Sequence, residues 1–151
     1  MLILDTSVLS TFTYLGLLEE LRQLNITYAI TPDVLEEFSK KWVKTKIPSW
    51  INIDTPSDKI KIESLSMSTT DTSLISLAIE KKSMIATDDL APRKIAKDRD
   101  IAVVGTLGLL KLLYTQNIIQ TREIYLNYLE KLRTDLYLSD DLLEWAIKDI
   151  D

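Results

Sequence analysis

Short apolar runs that end in acid alternate with helical patterns along this chain, and that alternation constrains the fold more than any other feature. The clearest run is Met84-Ile85-Ala86-Thr87-Asp88-Asp89, where three apolar residues lead straight into a hydroxyl and two adjacent carboxylates. Such runs are too short for helices and read as buried strands. Met1 to Leu4 repeats the pattern and ends at Asp5; Thr27 to Ile30, Ile47 to Ile53 and Ile101 to Val104 read as further strands. Between them lie helical stripes. Val8 to Asn25 carries one, with Gly16 as a break. Thr31-Pro32 opens the next, with Thr as N-cap and Pro at the first helical position. Ser68-Thr69-Thr70-Asp71 resembles a capping box, with Asp in the Glu/Gln place, and Asp89 to Asp98 forms another helix. Strand followed by helix about four times predicts an α/β fold with a central parallel sheet. Ligands of such sheets sit outside the carboxyl ends of the strands.

The rest of the chain reads as helix. Pro56-Ser57 is expected to open a short amphipathic helix through Leu65. Leu109 to Gln116 and Gln120 to Thr134 follow, and Ser139 caps a last helix that is apolar on more than one face, with Leu142, Leu143, Trp145, Ala146, Ile147 and Ile150. A helix of that kind is expected under another element or a second subunit. Residues 1–151 are read as one domain, with 119–151 a C-terminal helical extension packed on it or on a partner subunit, and a homodimer through the hydrophobic helices is expected. Gly105-Thr106-Leu107-Gly108 has two readings: a tight turn needing positive φ, or a backbone anion site at a helix N-terminus.

Composition narrows the chemistry. The chain has no cysteine and no histidine, which excludes thiolate zinc sites, cysteine nucleophiles, Ser-His-Asp triads and imidazole acid–base catalysis. Any metal must be held by oxygen, which points to Mg²⁺ or Mn²⁺. No apolar run approaches a membrane span, and Asp5 with no basic residue before it does not suit a signal peptide; a cytoplasmic location is the default expectation. A net charge of −5 disfavours a general nucleic-acid coat protein but not an enzyme whose acids are gathered in one cleft.

Those acids can be placed. Asp5 ends the first strand, Glu36 or Glu37 lies in the helix after the second, Asp71 in the first turn of the helix before Met84, and Asp88 and Asp89 after that strand. A parallel sheet opens all these positions on one edge. Two carboxylates ~4 Å apart cost about 4 kcal/mol at an effective dielectric near 20. Either some protonate, or a divalent cation sits among them, and the cation is the simpler solution. Asp71 also has a structural job in its capping box, and paired acids such as Asp88-Asp89 are common in solvated turns. Lys40, Lys41, Lys44 and Lys46 around Trp42, with Trp50 just beyond, mix charge and rings as single-strand nucleic-acid surfaces do; lysines also suit the negative end of a helix dipole.

The segments Leu4-Asp5-Thr6-Ser7, Thr31-Pro32-Asp33-Val34-Leu35-Glu36-Glu37, Ser68-Thr69-Thr70-Asp71 and Ala86-Thr87-Asp88-Asp89 together resemble the PIN-domain nucleases, in order and spacing, across residues 1 to about 108. The best-matched piece runs from Ser68 to Thr106 and includes Arg93-Lys94-Ile95-Ala96. The resemblance implies a Rossmann-like three-layer α/β/α sandwich and Mg²⁺- or Mn²⁺-dependent cleavage of RNA. By position it implies that Asp5, Glu37, Asp71 and Asp89 are catalytic and metal-binding, with Asp88 a further ligand. Glu37 is preferred to Glu36 because the family's acid lies three residues after the valine matching Val34, and a helix puts the two on different faces. The family's Thr-any-Asp pattern selects Asp89, while relatives with Thr-Asp-Asp admit both. Ser7 and Thr87 would orient the carboxylates, and Arg93, one turn beyond Asp89, would hold a substrate phosphate; a surface ion pair is its other reading.

The tail from Thr121 to Ile150 resembles the end of an uncharacterised prokaryotic PIN-like group, in which glutamate often stands where this chain has Asp71. PIN nucleases of ribosome maturation share the Asp71 and Thr87-Asp88-Asp89 motifs but carry a zinc ribbon, which a chain without cysteine lacks. Many compact PIN proteins are toxins, so an antitoxin protein is an expected partner beside RNA. The alternatives are a catalytically silent PIN-like RNA-binding or scaffold protein, and an aspartyl-phosphate protein. Aspartyl-phosphate phosphatases usually carry a second aspartate two residues after the first, where this chain has Ser7.

Overall fold

The apolar runs at Leu2–Leu4 and Tyr28–Ile30 become strands buried on both faces, as the interior of a parallel sheet covered by helices requires. The computed structural model describes residues 1–57, 67–136 and 138–150. In chain order the elements are β1 (Leu2–Leu4), α1 (Thr6–Leu15), α2 (Leu18–Arg22), β2 (Tyr28–Ile30), α3 (Pro32–Lys41), β3 (Ile51–Ile53), α4 (Thr69–Lys81), β4 (Met84–Ala86), α5 (Leu90–Asp98), β5 (Val103–Val104), α6 (Thr106–Thr115), α7 (Arg122–Leu136) and α8 (Asp140–Ile147). Most of the helix expected from Pro56 to Leu65 lies outside the described residues. The strands form one parallel sheet in the order β3-β2-β1-β4-β5.

Alternation along the strands divides the core into two layers. Leu2 and Leu4 of β1 face one way, with Tyr28, Ile30 and Ile51, and pack with Val8, Leu9 and Phe12 of α1, Val34 and Phe38 of α3, and Leu109, Leu110 and Leu113 of α6. Ile3 and Ile85 face the other way, against Leu74, Ile75, Leu77 and Ala78 of α4 and Ala96 of α5. The result is a three-layer α/β/α sandwich with eight helices around the sheet among the described residues. The chain builds from β1 to β3 on one side, then returns to place β4 and β5 on the other. The order therefore reverses between β1 and β4, and the crevice outside their carboxyl ends is where a ligand fits such a sheet.

Local chemistry fixes the helix ends. Gly16 stops α1 at φ 70, with its N–H donating to Phe12 O and Thr13 O, a conformation glycine adopts at no steric cost. Thr31 Oγ1 accepts from Val34 N at 3.3 Å and shares a 2.8 Å bond with Ser73 Oγ, so the N-cap of α3 also ties α3 to α4. The reading of Gly105 and Gly108 as a positive-φ turn is corrected: Gly105 has φ −101, and Gly16 is the positive-φ glycine. These two glycines answer to close approach. A Cβ on Gly108 would stand 2.7 Å from Val104 Cγ2, and one on Gly105 would stand 2.9 Å from Asp88 Oδ1.

The C-terminal helices share the larger core layer. Tyr125, Leu129 and Leu132 of α7 and Ala146 of α8 are buried in it. The Tyr125 ring stacks on Tyr114 at 4.7 Å, and its hydroxyl donates to Ala146 O at 2.7 Å. Lys111 of α6 donates to Trp145 O at 3.0 Å and lies 4.4 Å over the Trp145 ring. Leu142 and Trp145 remain about half exposed. Removing the Tyr125 hydroxyl strips the partner from a buried carbonyl. Tyr125→Phe is expected to cost about 1–3 kcal/mol, read in thermal unfolding as a loss of about 3–10 °C; an unchanged melting temperature would show that the hydroxyl does not hold α8.

Candidate metal centre

Asp5 is where β1 hands over to α1. Its N–H donates to Ala86 O at 2.9 Å, prolonging the β1–β4 ladder by one bond. As N-cap of α1, its carboxylate accepts from Thr6 N at 2.8 Å, at the positive end of the helix dipole. Two hydroxyls close on the other oxygen: Thr87 Oγ1 donates to Asp5 Oδ2 at 2.6 Å, and Ser7 Oγ at 3.4 Å. Both hydroxyls also accept from the turn after β4, Thr87 from Asp89 N at 3.1 Å and Ser7 from Asp88 N at 3.2 Å. Accepting those N–H groups leaves each hydroxyl proton free to point at Asp5.

Two further carboxylates converge on Asp5. Asp71 sits in the first turn of α4, in a capping box: Ser68 Oγ accepts from Asp71 N at 3.1 Å and Asp71 Oδ2 accepts from Ser68 N at 3.5 Å. Asp89 is the N-cap of α5, yet its side chain makes no capping bond. An aspartate there normally accepts from the next turn, for about 1 kcal/mol; Asp89 forgoes that bond. One carboxylate oxygen from each of Asp5, Asp71 and Asp89 lies within 4.8 Å of the others. Asp5 is buried, Asp71 half-buried and Asp89 exposed, so the cluster runs from the sheet edge to solvent.

The electrostatics register the crowding. Burial pushes the Asp5 carboxyl up to about 7, opposed by the Thr87 hydrogen bond and reinforced by Asp89. Burial also raises Asp71, with Asp89 and Glu37 adding to the rise and the Ser68 bonds opposing it. Among the described residues no lysine or arginine forms an ion pair with any of the three. A pocket of hard oxygen donors with no protein cation suits a divalent metal.

The other acids separate. Glu37 accepts from Thr70 Oγ1 at 2.7 Å, one residue before Asp71, and stands at the rim. Glu36 is on another face of α3, 3.3 Å from Lys40 Nζ. Asp88 turns away from its neighbour: Thr106 N donates to its Oδ1 at 2.8 Å and Thr106 Oγ1 to its Oδ2 at 2.5 Å. The N-terminus of α6 is thus an anion site filled by the chain's own Asp88. Arg93 donates to Thr87 O at 3.3 Å and lines a separate cavity of about 710 Å³ with Asp88, Thr106 and Trp145. Thr70 and Thr106, which hold Glu37 and Asp88, carry no signal in the sequence; their partners lie 33 and 18 residues away, a separation that leaves no pattern.

Linkage follows from Asp5. Its carboxyl holds a proton up to about pH 7 when folded and only to about pH 4 when unfolded. Between those values the folded state binds more protons, so the stability that Asp5 contributes without metal is full below about pH 4 and lost as pH rises through about 7. In chelator the melting temperature is expected to fall from pH 5 to pH 8, at a slope of at most ~1.4 kcal/mol per pH unit. Asp5→Asn is expected to flatten that slope. A melting temperature that rises over this range in chelator would contradict the assignment.

A family model described as a PIN domain matches residues 1–151, the whole chain. No curated protein and no solved structure matches it. PIN domains are typically metal-dependent nucleases, and the three-carboxylate cluster could hold the metal. With a five-stranded parallel sheet, helices on both faces and acids at the β1–β4 crevice, the chain belongs to the PIN-domain family.

Proposed function

We infer that this chain is a metal-dependent endoribonuclease in which Asp5, Asp71 and Asp89 hold Mg²⁺ or Mn²⁺ and Glu37 completes the acidic edge. The observation that carries the reading is Asp89, which leaves a helix cap unmade and puts its carboxylate among two others. A fold concerned with stability alone would cap the helix and separate the charges. A divalent cation bound there supplies activation of water and stabilisation of the leaving oxygen in phosphodiester cleavage. The chain's own contribution is orientation. Thr87 and Ser7 fix the Asp5 carboxylate, the capping box fixes Asp71, and Thr70 fixes Glu37. None of these steps needs histidine, in keeping with the composition.

The finer parts of the proposal are that the substrate is RNA, single-stranded or structured, and that the protein is a cytoplasmic toxin paired with an antitoxin and acts as a homodimer. The half-exposed Leu142 and Trp145 of α8 support self-association. No helix among the described residues is long and apolar enough to cross a membrane.

Mn²⁺ is expected to raise the melting temperature, and Asp71→Asn to abolish that gain. Cleavage of a mixed RNA pool is expected to need the metal, stop with chelator, and fall about a hundredfold or more in Asp5→Asn. Thr87→Val is expected to weaken Mn²⁺ binding about 10–100-fold by freeing the Asp5 carboxylate. A wild-type melting curve indifferent to metal, with no cleavage, would end the proposal. Growth arrest on expression in a bacterial host, lost in Asp5→Asn, tests the toxin role.

A further inference from the structure

The cavity of about 710 Å³ that Arg93 lines stands apart from the carboxylate cluster, since none of Asp5, Asp71 and Asp89 contributes to its wall. Its size falls within the ~300–1,000 Å³ of sites that enclose a small ligand. Its wall is mostly apolar and comes from four elements: Val104 of β5, Leu107 of α6, Leu132 of α7, and Leu142 and Trp145 of α8. The α8 wall is set in place. Lys111 of α6 donates to Trp145 O and lies over its ring, and the Tyr125 hydroxyl holds Ala146 O. Leu142 and Trp145 are nonetheless about half exposed. Apolar side chains left open to solvent around one concavity mark a binding surface. Gly105 keeps room in that wall, because a Cβ there would stand 2.9 Å from Asp88 Oδ1 and 3.1 Å from Arg93 Nη1.

The charges in the wall define the ligand. Asp88 and Arg93 are the two charged residues of the lining. Asp88 is already satisfied, both oxygens accepting from Thr106 at the positive end of α6. Arg93 is not. A guanidinium carries five N–H donors; this one gives a single hydrogen bond, to Thr87 O at 3.3 Å, and has no ion pair among the described residues. Such a group pairs best with a carboxylate, through two parallel N–H bonds. A nucleotide fits the cavity poorly, because its sugar hydroxyls and remaining phosphate oxygens would lose water against leucines without gaining partners. An apolar wall drawn from four elements around one uncommitted guanidinium suits a compact molecule with an apolar body and a single anionic head.

We propose that this cavity is a second binding site, for a small amphiphile of the medium-chain fatty-acid class, whose carboxylate pairs with Arg93 and whose apolar body lies against Leu107, Leu132, Leu142 and Trp145. It goes beyond the nuclease reading and does not depend on it, since the cavity shares no residue with the three-carboxylate cluster.

The test is titration calorimetry of the full chain with octanoate, decanoate and octanol, each below its aggregation limit. Octanoate is expected to bind about fivefold or more tighter than the uncharged octanol, and decanoate about tenfold tighter than octanoate, from the two added methylenes. Arg93→Gln should bring octanoate down to the level of octanol and leave octanol unchanged, which shows the apolar wall intact. Leu142→Glu, at a half-exposed position, should weaken octanoate about tenfold or more, and it decides the matter if Arg93→Gln loses octanol as well. Equal binding of octanoate and octanol by the wild-type chain overturns the proposal. So does octanoate binding that survives either substitution, or a decanoate affinity no better than that of octanoate. Absence of any binding also overturns it, and sedimentation of the same sample then tells whether a second copy covers the cavity. Cleavage and the Mn²⁺ gain in melting temperature are scored separately, so failure of this site leaves the nuclease reading standing, and failure of that reading leaves this site.

Discussion

A hydrogen bond of 2.6 Å from Thr87 to Asp5 joins the exits of the two central strands. Around it the turn after β4 and the start of α1 interlock, because Thr87 and Ser7 each take an N–H from Asp89 or Asp88 and aim at the same carboxylate oxygen. Parallel pairing of β1 with β4 brings these segments together, and the reversal of strand order at that pair leaves a crevice between them. The carboxylates repel one another, yet each is attached to backbone that hydrophobic packing has already placed. Burial is the main cause of the raised proton affinity at Asp5 and Asp71, and the neighbouring carboxylates add to it because the fold does not let the groups move apart.

Adjacent residues divide the work after β4. Asp88 takes the N-terminus of α6, where the dipole and two Thr106 donors satisfy both its oxygens. Asp89 gives up the equivalent role on α5 and enters the cluster. Gly105 makes the first arrangement possible, since a side chain there would press on Asp88 and Arg93. One carboxylate thus fixes the turn that presents the other.

A groove of about 840 Å³ lies beside the cluster, with Asp89 in its lining. Its lining comes from α1, from Glu37, Lys40 and Lys41 of α3, from Trp42 just beyond, and from Asp89 after β4. The 3.6-residue period of α3 turns Glu37 toward Thr70 and Glu36 toward Lys40. The C-terminal helices bear on the groove indirectly, since Asp135 and Lys131 of α7 hold Tyr14 at its wall.

Local pattern is enough to read strand–helix alternation, the caps at Thr31 and Ser68, the break at Gly16, and Glu36 and Glu37 on different faces of one helix. These depend on neighbours within one turn or one strand, so they leave a periodic trace in the residues. The absence of histidine and cysteine likewise limits the chemistry to oxygen donors on composition alone. Tertiary packing by itself decided that Asp88 and Asp89 part company, that Gly105 and Gly108 serve close approach instead of positive φ, that Arg93 faces a different cavity from Asp89, and that Ser10 and Trp42 line one groove with polar atoms unpaired. Each of these depends on contacts between elements distant in the chain, such as the 82 residues between Asp5 and Thr87. Such contacts arise only when the hydrophobic core brings the elements together, and no local periodicity encodes them.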